Sequence, residues 1–99
     1  MSATDVIREH ARLIILRDIS EQPDRRWNSE ALREDLESRW AITRTRDWVH
    51  EELRWLEDIG AVTLVRQSSV QIATLTQKGL DHVERRIVMT GVKRPSPEV

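Results

Sequence analysis

The feature that most constrains the fold is an amphipathic segment that runs directly into two short stretches rich in β-branched residues. Its apolar side chains recur at the spacing of one helix face: Val49, Leu53 and Leu56. Thr45 is a suitable N-cap, because its hydroxyl can accept a hydrogen bond from a free N–H group of the first turn. Gly60 follows the last turn, where glycine commonly ends a helix. The segment therefore predicts a helix, Thr45–Ile59, that is followed at once by extended structure.

The extended structure is predicted to be a β-hairpin. Its two strands are indicated by the apolar residues Val62, Leu64, Val70, Ile72 and Ala73. Between them lies the tip Arg66-Gln67-Ser68-Ser69, which is polar and small, as is typical of a turn exposed to solvent. A helix that leads into such a hairpin is the arrangement found in winged helix-turn-helix domains.

The first helix is predicted from about Thr4, a candidate cap, to Glu21. Its apolar residues spread over most of the helix circumference, which is typical of a helix buried on several sides. Two explanations fit: a helix at the centre of the domain, or one shared with a second subunit. The sequence slightly favours the second, a homodimer formed through this helix.

Two further helices complete the predicted domain. Asn28 caps one that reaches about Arg39, with an inner face of Leu32, Leu36 and Trp40. Thr76 caps the last, whose apolar residues are Leu80, Val83 and Ile87. The prediction is a mainly α fold with a small β-hairpin (α+β), a winged helix-turn-helix domain over residues 1–88. Residues 89–99 form a C-terminal tail in which Pro95 and Pro97 exclude regular structure.

Length and composition exclude several classes of protein. The 99 residues suffice for one domain, and the absence of Cys excludes disulfides and thiolate metal sites. No apolar run approaches the roughly 20 residues of a membrane span, and the N-terminus lacks the layout of a signal peptide. We therefore expect a cytoplasmic protein with no membrane partner.

The charge pattern points in two directions. Sixteen basic residues against 17 acidic ones give a net charge of −1, without the basic excess usual in a nucleic-acid binder. The basic residues are nevertheless almost all Arg, since only Lys78 and Lys93 are Lys. Arginine suits forked contacts to phosphate and guanine, although a GC-rich genome would explain the same bias.

The candidate functional residues follow from the predicted fold, in which the third helix enters the major groove of double-stranded DNA. An arginine there can pair two donors with a guanine edge, and hydroxyls of the wing can bind phosphate. The predicted DNA-binding residues are Arg44, Arg46, Trp48, His50 and Arg54 at the helix, and Arg66, Gln67, Ser68 and Ser69 in the wing. The alternative is a solvated helix face, because residues 44–54 carry three Arg and three acids and are neutral overall.

The four tryptophans provide a second candidate site. Trp27, Trp40 and Trp55 are expected to close the core, as large aromatic residues usually do. Trp48 and Trp55 lie seven residues apart, on one side of the predicted helix. An exposed pair there would indicate a protein contact, but we favour the core or its edge for both.

No pattern indicates an enzyme. The segment His50-Glu51-Glu52-Leu53-Arg54 is similar to the zinc motif HExxH, but Arg54 stands in place of the second His and cannot ligate a metal. His10 and His82 have no second ligand at helical spacing. We expect no catalytic residues, metal or cofactor.

Four segments carry a resemblance to a known family: ALREDL, TRD followed by ELRWLEDIGAV, ATLTQKGLD and GVKRPSP. They resemble a family of small uncharacterised proteins of Mu-like phages and prophages, from about Ala11 onward. The order of the elements and the LTxxG start of the last helix are similar to winged-helix regulators. The resemblance implies a DNA-binding fold and a phage setting. Trp48 departs from this pattern, because a polar residue is expected near the start of a helix that reads bases.

Two functional hypotheses follow. The first is a phage or prophage winged-helix DNA-binding protein that acts as a transcriptional regulator, as a dimer. The second is a protein-interaction or phage-assembly module that keeps the fold without binding DNA, and whose partner is a phage protein. The neutral third helix, Trp48 and the net charge favour the second. The fold favours the first, which is the preferred hypothesis, but the second stays open because fold alone does not decide function.

Overall fold

The elements lie in the order of a winged-helix domain in the computed structural model, which describes residues 3–96. The helices are α1 (Ala3–Ser20), α2 (Ser29–Trp40), α3 (Arg46–Asp58) and α4 (Gln77–Val83), and the strands are β1 (Arg26–Asn28), β2 (Val62–Gln67) and β3 (Val70–Leu75). The strands form one antiparallel sheet in the order β1-β3-β2. The predicted α+β class is confirmed.

Helix α3 begins and ends where the sequence predicts. The Thr45 hydroxyl accepts a hydrogen bond from the Trp48 N–H at 3.1 Å. At the other end Gly60 has a φ of 82°. The N–H groups of Gly60 and Ala61 each bond to carbonyls of the last turn at 2.9 Å, which satisfies acceptors that a helix end leaves free.

Strand β1 was not predicted. It pairs with β3 through Trp27 and Ala73, so the sheet has a third strand beside the hairpin. Three residues are too few to show the alternation by which a strand is recognised in a sequence. Asn28 ends the strand and caps α2, as predicted, by accepting from the Ala31 N–H at 2.8 Å.

Helix α1 is the central helix of the domain. Its buried apolar residues are Ala11, Leu13, Ile14, Ile15, Leu16 and Ile19. Burial within a single chain explains the apolar circumference, so the predicted homodimer loses the observation on which it rested and stays a prediction. Thr4 lies inside the helix and is not its cap.

Two predicted inner-face positions are wrong. Trp40 is 37% exposed and meets the ring of His10 edge-on, with 5.7 Å between centroids, so it does not close the core. Helix α4 ends at Val83, because Arg85 takes a positive φ of 65° that an α-helix does not accommodate. Ile87 therefore lies outside the helix and is 37% exposed.

The start of the predicted tail packs against the core. Met89 and Val92 are buried members of the core cluster. The imidazole of buried His82 accepts from the Met89 N–H at 3.1 Å and lies 2.9 Å from the Lys93 carbonyl. Pro97 lies outside the described residues. The domain boundary after residue 88 stays a prediction, but residues 89–96 are not detached from the domain.

A carboxyl pair joins α1 to α2. Asp18 and Asp35 each have one buried oxygen, Oδ2, that accepts from no N–H group or hydroxyl of the described residues. Burial, and then the hydrogen bond to Asp35 and its charge, raise the pKa of Asp18 to about 8, although Arg39 opposes the shift. Asp18 therefore keeps its proton at neutral pH.

The raised pKa of Asp18 predicts a pH-dependent stability. The folded pKa lies above the ordinary value of 3.8, so the folded state keeps a proton that the unfolded state releases. The contribution of Asp18 to the free energy of unfolding should therefore fall as pH rises from about 4 to about 8, by up to about 1.4 kcal/mol per pH unit. Urea unfolding of the wild type and of Asp18→Asn across this range should give two different slopes against pH, with the fall absent from the variant. An unchanged slope in that variant would contradict the assignment.

Candidate nucleic-acid interface

A groove of about 230 Å³ lies between the start of α3 and the wing formed by β2 and β3. It is lined by Arg46, Asp47, His50, Arg66, Ser68, Ser69, Val70 and Gln71. Five of the nine predicted DNA-binding residues therefore lie together at one groove. Arg44, Trp48, Arg54 and Gln67 do not line it.

The tip of the wing is shorter than predicted. Arg66 and Gln67 belong to β2 and pair with Gln71 and Val70, so only Ser68 and Ser69 form the turn. Ser68 has the positive φ, 59°, that a two-residue hairpin turn requires at this place. Because the strand continues to Gln67, it holds Arg66 beside α3.

His50 is fixed by a network that joins three elements. Its Nε2 lies 2.8 Å from the Oγ of Ser29, a fully buried residue at the start of α2. The same hydroxyl accepts from the Gln71 N–H of β3 at 3.0 Å. The Ser29 hydroxyl therefore links the His50 ring to the backbone of β3. No sequence pattern singled out Ser29, because its partners come from distant elements.

The groove has a positive electrostatic environment. Burial, and then the charge of Arg46, lower the pKa of His50; Arg66 and Arg54 act in the same direction. Asp47 opposes this shift. His50 is therefore neutral at pH 7, and three arginines lie within electrostatic reach of its ring.

Trp48 supports two guanidinium groups. The guanidinium carbons of Arg8 and Arg44 lie 5.3 and 5.4 Å from the centre of its ring, within the range of cation–π attraction. Arg44 also donates to the Thr43 carbonyl at 2.9 Å. The ring packs partly against the core. These contacts explain why a tryptophan stands at position 48, where a residue that reads bases is usually polar.

Glu52 is turned into the protein, although it belongs to the helix expected to face DNA. It is 1% exposed and forms ion pairs with Arg8 and, at 2.7 Å, with Arg12. The sequence did contain a signal. Glu52 lies three residues after Val49 and four before Leu56, on the apolar face, and Arg8 and Arg12 lie one turn apart on α1.

The burial of Glu52 changes the charge balance of the candidate interface. Residues 44–54 have no net charge in the sequence, but Glu52, one of their three acids, is buried and paired with arginines of α1. Three arginines remain against Asp47 and Glu51, and Arg66 of the wing adds a further positive charge. The surface is therefore net positive, although Glu51 and Asp58 lie beside Arg54.

The alternative of an exposed Trp48–Trp55 pair is not observed. Both rings are partly buried against the core, as is Trp27. The guanidinium of Arg12 lies over Trp55, 3.7 Å from the ring centre. The predicted place of Trp27, Trp48 and Trp55 at the core or its edge is confirmed.

Two classes of feature are absent from the part of the chain that the structure describes. Within residues 3–96, no group of three or more His, Asp or Glu side chains is arranged to hold a metal ion. In the same range, no helix is both long and apolar enough to cross a bilayer.

Three solved structures share the fold. H. salinarum RosR has a TM-score of 0.67 at 18% identity, over 87% of this chain and 70% of that one. A MarR family transcriptional regulator from Streptomyces coelicolor, in complex with DNA, has a TM-score of 0.62 at 24% identity, over 84% and 52%. A winged-helix DNA-binding protein from STIV has a TM-score of 0.56 at 14% identity, over 87% of each. These likenesses establish the winged-helix fold.

The sequence comparison agrees with the predicted phage setting. No family model matches the chain. The uncharacterised protein gp26 of Escherichia phage Mu is 31% identical over 93 residues, which span 94% of this chain and 95% of that protein. The match covers nearly the full length of both sequences. The chain belongs to the family of phage Mu gp26.

Proposed function

We propose that this protein is a phage or prophage transcriptional regulator that binds double-stranded DNA. In this proposal α3 enters the major groove and the wing lies beside it. The observation that carries the proposal is the groove between them, where Arg46, Arg66 and the hydroxyls of Ser68 and Ser69 meet. Two structural neighbours, described as DNA-binding or solved in complex with DNA, support it.

The side chains of this surface suit different contacts with DNA. Arg46, in the first turn of α3, is the residue proposed to read a guanine edge. Arg66 and the serine hydroxyls are proposed to bind phosphate or reach the minor groove from the wing. Arg44, whose guanidinium carbon lies 5.4 Å from the centre of the Trp48 ring, would contact phosphate. Arg54 would contact the DNA further along the helix.

A second candidate function, a protein-interaction or assembly module, is supported by the acids near this surface. Asp47 lines the groove itself, and Glu51 and Asp58 lie beside Arg54. Such interleaved charges suit a protein partner better than a phosphate backbone. Dimerisation through α1 belongs to the first proposal, because two copies would place two α3 helices on successive half-sites.

Binding to random-sequence duplex DNA, at low and at physiological salt, tests the proposal. Affinity should fall steeply with salt, and Arg46→Ala/Arg66→Ala should weaken binding by roughly tenfold per arginine. The salt slope should decrease by about one for each phosphate that the variant no longer neutralises. Arg17→Ala removes an equal charge outside the groove and serves as the control. If the wild-type protein does not bind duplex DNA at low salt, the regulator hypothesis is rejected, and the next step is to identify a protein partner.

A further inference from the structure

A second cleft, of about 350 Å³, lies where α1, the end of α2, the end of α4 and the C-terminal segment meet. Its lining differs completely from that of the groove beside the wing. The residues used below are Ile14, Arg17, Arg39, Trp40, Val83 and Arg85. A volume of this size lies at the lower end of the range for small-molecule sites.

Three arginines line this cleft, and the side chains of two have no partner among residues 3–96. Arg17 and Arg85 make no side-chain hydrogen bond or ion pair within the described residues. Arg39 is held loosely, at 3.4 Å from Asp35 and 3.9 Å from Asp18. Arg85 also adopts a positive φ of 65°, a conformation that a residue with a side chain rarely takes. Unpaired guanidinium groups in a concave site favour an anion.

The acids of the cleft do not cancel this charge. Asp18 is 3% exposed, and its pKa is raised to about 8 by burial and by Asp35. Asp18 therefore keeps its proton at neutral pH and carries no charge there. Glu21 is the other acidic side chain of the lining. The three arginines still leave the cleft net positive.

The remaining wall is apolar. Ile14 and Val83 contribute aliphatic surface, and Trp40 contributes an aromatic ring that is 37% exposed. The guanidinium of Arg39 lies 6.0 Å from the centre of that ring. An aromatic surface beside cationic groups suits a ligand that has both a planar apolar part and a charged part.

We propose that this cleft binds a small organic anion in which one carboxylate or phosphate group is attached to a planar apolar body. Arg17 and Arg85 hold the anionic group, and Trp40 contacts the planar part. The proposal does not rest on DNA binding, because none of these residues lines the groove beside the wing. The result of the DNA experiment and that of the cleft experiment are therefore independent.

Titration of the isotope-labelled protein with benzoate and with phenyl phosphate tests the proposal. The Trp40 indole N–H signal, assigned with Trp40→Phe, should move saturably on addition of at least one of the two. Benzamide has the ring without the charge, and inorganic phosphate has the charge without the ring. Benzamide should bind more weakly than benzoate, and inorganic phosphate more weakly than phenyl phosphate, because each lacks one half of the recognised structure.

Matched variants identify the site. Arg17→Gln and Arg85→Gln should each weaken binding by about tenfold, since each removes a charge-assisted contact. Arg66→Gln, in the other groove, should leave binding unchanged. Circular dichroism verifies that the variants are folded. The proposal is overturned if neither anion shifts the Trp40 signal saturably, or if benzamide binds as tightly as benzoate. It is equally overturned if inorganic phosphate matches phenyl phosphate, or if Arg66→Gln weakens binding as much as Arg17→Gln.

Discussion

Replacement of Arg12 by alanine is expected to lower the free energy of unfolding by about 2–4 kcal/mol, the sum of a charge-assisted hydrogen bond and a cation–π contact. The guanidinium bonds to Glu52 at 2.7 Å and to the Gly91 carbonyl at 2.8 Å, and it lies 3.7 Å from the centre of the Trp55 ring. Its removal leaves the buried carboxylate of Glu52 with Arg8 alone and exposes part of Trp55. Urea unfolding of Arg12→Ala and wild type measures the loss.

Two controls separate the buried charge from other effects. Arg17→Ala removes an arginine from the same helix that forms no ion pair with any described residue, and should change the free energy of unfolding by about 0.5 kcal/mol or less. Arg8→Met/Arg12→Met/Glu52→Leu removes all three charges and should recover much of the loss, because no charge stays buried without a partner. If Arg12→Ala costs no more than Arg17→Ala, the ion pair is no stronger than one at the surface.

The ion pairs of Glu52 also explain how α3 is held. Arg8 and Arg12 lie on α1, the central helix, so the pairs connect the middle of α3 to the core of the domain. The Ser29 hydroxyl connects the same helix to β3 through His50. Helix α3 is therefore anchored on two sides, and its exposed arginines are presented by a fixed support.

The elements that the sequence predicted correctly are those determined by local chemistry. Thr45, Asn28 and Thr76 each accept a hydrogen bond from a backbone N–H of the helix that follows. The spacing of the apolar residues predicted α3, and the β-branched residues predicted the hairpin. These signals act within one or two turns of the chain, so a single sequence contains them.

The features that the sequence did not predict depend on distant partners. In the sequence, Glu52 looks like one more charged residue on a solvated helix. Its partners Arg8 and Arg12 lie 44 and 40 residues away in the chain, so only the fold brings them together. Strand β1 exists because β3 lies beside it, and Trp40 is exposed because the cleft opens there. Of the candidate site, the chemistry of each residue could be predicted, but not which five would share a groove.

Replacement of Gly91 by alanine is expected to lower the free energy of unfolding by about 2–4 kcal/mol, from a strained backbone and from overpacking. Gly91 has a φ of 92°, and a Cβ atom there would lie 2.6 Å from two carbons of the Trp55 ring. The substitution therefore separates the C-terminal segment from the ring, or displaces the ring from the Arg12 guanidinium above it. Urea unfolding, followed by tryptophan fluorescence, measures both effects.

Gly60→Ala is the matched control for this prediction. Gly60 also has a positive φ, 82°, but a Cβ there meets only the Lys78 side chain, at 3.7 Å or beyond. It should cost only the backbone strain, about 1–2 kcal/mol. The difference between the two variants then isolates the packing of the C-terminal segment against Trp55. Equal losses would mean that this segment does not press on the ring, whereas a larger loss at Gly91 would make residues 89–96 part of the folded domain.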